Sequence, residues 1–478
     1  MRVEQMIDGP AARQPDSLAL CAGDEQLTYG QLREERDRRA AVLIEAGIRA
    51  GDRVVVAEQS GPDLLIAFLA CCQVGATFAT FSPLFAPPEL AALTMRVQPA
   101  LALTADGQPR EFLPASQTLP VTLPGEPSPV ARQEVVVRAL ALPATAPAAI
   151  RGTSGTTGAR PQLVVRTHEQ LLWNRRLSAP WESAGSVVCC YVPNQFMSAD
   201  LCFYLGLGTT VVFPTSGTPR SVEEALARHR ATILYTPATL LQLLVTRRAA
   251  PPAVSRLAVV RAFASALDPR VRALAERRYG AQVFSEYGLT EHCGQVISAR
   301  APGTPVGSIG KPLPGIEVRV LDAAGRPVPD GTSGELALRS PGLIDGYLDD
   351  PEATAATLRD GWLWTGDIAY QDADGFFYIV GRRKLIINVA GNNVAPEEVE
   401  AVLQRHPGVR EAVVLPLPDE KRGEALRAVI VPATSAPTAD ELRRFCRAHL
   451  ANYKIPRQFE FRDTLPRSAL GKVARQRL

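Results

Sequence analysis

The chain has 478 residues, 46% hydrophobic and 21% charged, a globular composition that excludes dominant disorder and leaves room for about three domains at roughly 150 residues each. Its formal net charge of +3 is small and evenly spread, which argues against nucleic acid or an anionic membrane as the main partner. Of 52 basic residues only five are lysine (Lys311, Lys384, Lys421, Lys454 and Lys472), so each lysine marks a candidate position for a compact ammonium that arginine does not replace.

In chain order, Leu27–Leu32 leads into a helix carrying Leu32, Ala40, Leu43 and Ile44, and Gly51-Asp52 turns into the strand 53–57. The apolar stretch 64–81 is broken by Gln73 and Gly75, so it reads as a buried helix and a turn, with no membrane span. Residues 104–148 read as loop-rich surface with a strand at 134–142. Strands at 187–191, 209–213 and 232–235, with a helix at 222–229, predict parallel α/β layering. Short alternating strands such as 317–320 and 334–338 predict an antiparallel β subdomain over 315–380. After Gly381 the pattern resets into an α+β unit of about 95 residues. It holds a helix over 397–404, strands at 411–415 and 427–431, and a capping box at Thr438–Glu441. Eight cysteines without a CxxC pair read as buried free thiols, consistent with a cytoplasmic location. The charged N-terminus lacks a signal-peptide core.

Four segments carry chemistry. Thr153-Ser154-Gly155-Thr156-Thr157-Gly158 places hydroxyls between glycines, which suits a phosphate cradle as well as a plain surface turn. It is not a Walker A loop. Tyr287-Gly288-Leu289-Thr290-Glu291 offers an aromatic, a hydroxyl and a carboxylate. Asp367, with Arg382 further along, suits a ribose diol. Lys472 follows Gly471 near the C-terminus.

Taken in this order, the segments resemble the adenylate-forming superfamily of acyl-CoA synthetases, aryl-acid AMP ligases and stand-alone adenylation enzymes. The resemblance spans nearly the whole chain, including Gly391 and Pro396-Glu397-Glu398-Val399-Glu400. It implies a large N-terminal α/β domain (1–383) of layered subdomains plus the antiparallel β subdomain. A small α+β C-terminal domain (384–478) would turn about a hinge at Lys384-Leu385. It further implies that residues 153–158, with Arg160, hold the ATP β- and γ-phosphates. Ala264-Ser265-Ala266 would line one face of the adenine and Tyr287 the other, with Glu286 and Gly288 also among the nucleotide-binding residues. Thr290 would meet the α-phosphate, and Glu291 would bind Mg²⁺. Asp367 and Arg382 would hold the ribose, and Lys472 would bridge the substrate carboxylate and the α-phosphate as the catalytic cation. Asn194, Gln195, Phe196 and Leu289 would line the acyl pocket, and Gly391 a pantetheine channel.

Three departures stand out. The phosphate loop continues Ala159-Arg160-Pro161, so either Arg160 stands in for a lysine or pyrophosphate is held more weakly. Leu385 occupies a hinge position that is usually Asp. The segment after Pro193 is short. The run Leu163-Val164-Val165-Arg166-Thr167-His168 resembles that of aryl-acid adenylating enzymes. The resemblance therefore implies an ATP- and Mg²⁺-dependent ligase for a small aryl or acyl acid. The acid would be loaded onto carrier-protein phosphopantetheine, with free CoA or a non-catalytic paralogue as alternatives and a monomer or homodimer as the working state.

Overall fold

The computed structural model describes the chain except residues 59–60, 84, 86, 114, 116, 153–161, 174–184, 191–197, 248–255, 293, 302, 386, 390–391, 420–422, 434 and 468–472. The side chains of 139–140, 198–199, 384, 388 and 392–393 also lie outside the description. The described residues form two compact units, one from Met1–Ser154, Pro161–Ile316 and Ser340–Ala356, the other from Glu317–Arg339 and Thr357–Leu478.

The first unit holds two sheets. One runs in the order 117–120, 101–104, 53–56, 77–80, 147–152 and 163–167, parallel except for its last pair. The other has nine strands, with a parallel core of 282–289, 259–263, 233–237, 187–190, 210–213 and 18–22 and antiparallel strands at both edges. Apolar runs such as Val211-Val212 and Val259-Val260 suit strands covered on both faces. Helix Pro62–Val74 is buried from Leu64 to its end and stops at Gly75, which adopts φ 80°. A Cβ there would lie 2.7 Å from Leu142. Only glycine fits this left-handed, crowded cap. Among the described residues no helix is long and apolar enough to cross a membrane.

One local expectation fails. The strand expected over 134–142 does not form: residues 134–141 belong to helix Pro129–Ala141, and Leu142 is its C-cap. Ser128 caps it by accepting from Ala131 N, Pro129 occupies the first turn, and Arg138 pairs with Glu134 one turn back. Caps and helical spacing outweigh the β-branched run Val135-Val136-Val137, of which only Val135 is buried.

The second unit contains the antiparallel sheet expected over 315–380, built from Glu317–Leu321, Gly334–Arg339, Trp362–Gln371, Leu358–Arg359 and Phe377–Arg382. A second sheet combines Ile387–Val389, Asn392–Val394, Val409–Asp419, Gly423–Pro432 and Gln458–Phe461 with helices Pro396–Leu403 and Ala439–Arg447. The capping box forms: Thr438 Oγ1 accepts from Glu441 N, and Glu441 Oε2 accepts from Thr438 N. The sequence-derived boundary at 383–384 lies inside this unit, between its two sheets.

Candidate active site

In the first unit, strand Gln282–Leu289 runs into the 3-10 turn Thr290–His292. The neighbouring strand Val259–Phe263 pairs with it in parallel and ends immediately before Ala264-Ser265-Ala266, which are exposed. The structure thus brings the 264–266 segment beside the 286–291 segment at the C-terminal edge of the parallel strands, where open α/β sheets take ligands. Ala264 has φ 71°, a strained value for a residue with a side chain. Gly288 faces Gln295 across the antiparallel pair, and a Cβ there would sit 2.6 Å from Gly294 O.

The turn is held at three points. The guanidinium of buried Arg166 donates to the carbonyl of Thr290. Tyr347 donates its hydroxyl proton to Glu291 Oε1 at 2.8 Å, and Ile344 N donates to the Glu291 carbonyl at 3.0 Å. His292 Nε2 bonds Ser340 Oγ at 2.9 Å, with its ring edge-on to Trp173. Glu291 therefore has one oxygen oriented by a neutral donor and the other without a hydrogen bond among the described residues. Such a hard oxygen donor fits a small divalent cation.

Glu286 is engaged in the interior of the sheet. Strand alternation turns it to the face opposite Tyr287. There both its oxygens bond Arg261, at 3.0 and 2.7 Å, and its side chain is fully buried. Its carboxylate carries a buried ion pair with Arg261. The Arg166-Thr167-His168 run likewise has a local explanation. Arg166 secures Thr290, and His168 Nδ1 accepts from Val3 N at 3.3 Å beside Glu4 and Cys72.

Burial depresses both histidines, His168 to about 3 and His292 to about 4. Their folded values lie below the unfolded one, so their contribution to stability is complete above about pH 6.5 and is lost as pH falls. The slope reaches about 1.4 kcal/mol per pH unit for each histidine. Acid unfolding of the wild type should therefore be steeper between pH 6.5 and 4 than that of a His168→Gln, His292→Gln protein. Equal slopes would refute this. Glu400, raised to about 7 by burial although paired with Arg475, has the opposite sign but is common to both proteins.

In the second unit, Asp367 and Arg382 face each other in antiparallel register and form an ion pair at 2.7 Å, with the Asp buried. Arg383 pairs with Glu335, which also accepts from Gly366 N. Leu385 ends the 3-10 turn Arg383–Leu385. Glu397, pushed upward mainly by burial, lies so close to Gly381 that a Cβ there would be 2.9 Å from its Oε2. The expected phosphate loop (Thr153 to Gly158, and Arg160), the pocket residues Asn194, Gln195 and Phe196, the channel residue Gly391, the Lys384 side chain and Lys472 lie outside the described residues. Sequence reasoning missed Tyr347, Ser340 and Arg261, which no motif marks.

Comparison with known proteins places this geometry in context. The family model described as AMP-binding enzyme matches residues 7–348, and its companion, AMP-binding enzyme C-terminal domain, matches 398–472. A feruloyl-CoA synthase of Amycolatopsis sp is 33% identical over 97% of this chain and 95% of its own length. A sulfoacetate–CoA ligase of Cupriavidus necator is 34% identical, covering 98% and 95%. The structure of o-succinylbenzoate coenzyme A synthetase from Bacillus subtilis, in complex with ATP and magnesium ion, superposes with a TM-score of 0.87 at 26% identity, covering 99% of each chain.

Proposed function

Because the chain belongs to the AMP-binding enzyme family and is an adenylate-forming acid–thiol ligase, we propose that it activates a small aryl or acyl carboxylic acid with ATP and transfers the acyl group to the thiol of CoA. The observation that carries this reading is the pinned turn 290–292, which follows directly on the strand that carries Tyr287 and leaves one Glu291 oxygen without a hydrogen bond among the described residues. CoA as acceptor is supported by the named activities of the relatives. The carrier protein, the acceptor expected first from the sequence with CoA as its alternative, drew on the Leu163–His168 run, whose Arg166 and His168 are engaged structurally.

In the first half-reaction a carboxylate oxygen attacks the α-phosphorus, and the bond to pyrophosphate breaks. Tyr287 stacks against the base, Ala264-Ser265-Ala266 borders it, and Thr290 meets the α-phosphate. Asp367, oriented by Arg382, accepts from the ribose hydroxyls. Glu291 would hold Mg²⁺, which supplies charge neutralisation on the phosphoryl oxygens when bound with ATP. Lys472 stabilises the same developing charge. The second half-reaction uses the thiol as nucleophile and releases AMP, after the segment beyond Lys384-Leu385 has turned to open the channel at Gly391. The seven described cysteines are all buried and free, which supports a reducing, cytoplasmic setting.

Pyrophosphate exchange with aryl, short-chain, long-chain and amino acids, followed by thioester formation with CoA or a holo carrier protein, tests the reading. Exchange confined to long-chain acids would overturn the substrate class, and transfer only to a carrier protein would overturn the acceptor. Leu385→Pro fixes a backbone torsion at the hinge. It is expected to leave exchange within about twofold and to slow thioester formation by about tenfold or more; equal loss of both steps would remove the hinge.

A further inference from the structure

The face of the nine-stranded sheet behind helix Ser198–Gly206 carries polar groups that the adenylation chemistry leaves unused. Tyr235 and Arg261 are neighbours in parallel register, and the Arg261 guanidinium lies 5.0 Å from the Tyr235 ring. Arg261 is committed to Glu286 and to the Tyr204 hydroxyl. Tyr235 stacks on Phe263 at 4.3 Å and donates its hydroxyl proton to Asp200 Oδ1 at 3.2 Å. The amide of Gln295 donates to the same Oδ1 at 3.1 Å and to the Tyr235 oxygen. All three residues are buried.

The donors in this cluster are therefore spent. What is left over is acceptors. Asp200 Oδ2 and Gln295 Oε1 have no hydrogen-bond partner among the described residues, and each of the two residues keeps 9% of its surface exposed. Burial raises the Asp200 carboxyl despite the nearby cation. A buried acceptor pair of this kind is costly unless a donor arrives. Its position points to the source. Gln295 pairs with Gly288, between Tyr287 and Leu289, and Tyr235 pairs with Cys190, the last residue of its strand, at the ligand-binding edge of the sheet.

We propose that Asp200 Oδ2 and Gln295 Oε1 receive a hydroxyl or amino group carried by the acid substrate at the end remote from its reacting carboxylate, so that the enzyme selects hydroxy- or amino-substituted aryl acids over their unsubstituted parents. This assignment rests on the ligase reading. A site built to bond a substrate hydroxyl rejects the analogue lacking it by up to about 10⁴–10⁵-fold, because its own polar groups are then left unpaired.

The test is pyrophosphate exchange by the full chain with benzoate and cinnamate and with their ring-hydroxylated and ring-aminated counterparts. The best donor-bearing acid should exceed its parent by at least about 100-fold in kcat/KM. Asp200→Asn, which keeps the shape but offers an amide donor, and Gln295→Met, which removes the second acceptor, should each lower that ratio to about tenfold or less. Parity of parent and substituted acids in the wild type overturns the assignment, as does a ratio unchanged in whichever variant folds. Exchange with no acid at all, while ATP still binds, fails the ligase reading itself and takes this assignment with it. Exchange with unsubstituted acids alone fails only the assignment.

Discussion

Lys472→Ala is expected to slow acyl-adenylate formation by about 10²–10³-fold while ATP binding stays within about tenfold, the loss typical of one electrostatic donor aimed at transition-state charge. The reaction brings an anionic carboxylate onto an anionic phosphate, and the cation that bridges them has to be in place beforehand. Arginine supplies nearly every other positive charge in this chain, so lysine at 472 marks a place where a slim point charge is required. The described residues that flank 468–472, Arg467 and Val473, pair in an isolated bridge, and Arg467 also pairs with Glu411. Lys472→Arg should therefore restore little, since a planar fork has a different reach. Pyrophosphate exchange alongside nucleotide-binding calorimetry checks both variants. Exchange at the wild-type rate in Lys472→Ala would remove the residue from the chemistry.

The second large effect is on stability. Arg261→Met leaves the buried Glu286 carboxylate without its close cation and with Arg300 at 3.9 Å, which is expected to cost about 3–5 kcal/mol. The pair spans two neighbouring strands of the nine-stranded sheet, and its side chains are 4% and 0% exposed. Removing both charges, in Arg261→Met with Glu286→Gln, should recover most of the loss, because a neutral amide is far cheaper to bury than a lone carboxylate. Urea unfolding of the three proteins decides the matter. A single variant within about 1 kcal/mol of wild type would refute the cost assigned to the broken pair.

These cases show where local signals suffice and where they fail. The capping box at Thr438 was legible because both partners lie within four residues, and the antiparallel sheet because short alternating strands sit between Gly and Asp turns. The helix at 129–141 was hidden by three consecutive valines, although Ser128 and Pro129 carried its start. The Tyr287–Glu291 run was readable as a nucleotide-site signature, but its supports were not. Tyr347 lies 56 residues from Glu291, and Arg261 lies 25 from Glu286 in a chain where arginine is too common to stand out. Pairing at such separations is decided by strand register, which no motif encodes.

The buried cysteines bear on the fidelity of the product. An acyl-adenylate is an indiscriminate electrophile, and a thiolate on the enzyme would capture the acyl group before the acceptor arrived. Burial pushes Cys189 up to about 12 and Cys446 up to about 11, and it raises Cys21, Cys71, Cys72, Cys190 and Cys202 as well. Only the thiolate is a competent nucleophile. At neutral pH these seven sulfurs are inert towards the intermediate, so the enzyme does not acylate itself through them and the thiol that enters from outside meets no competition from them.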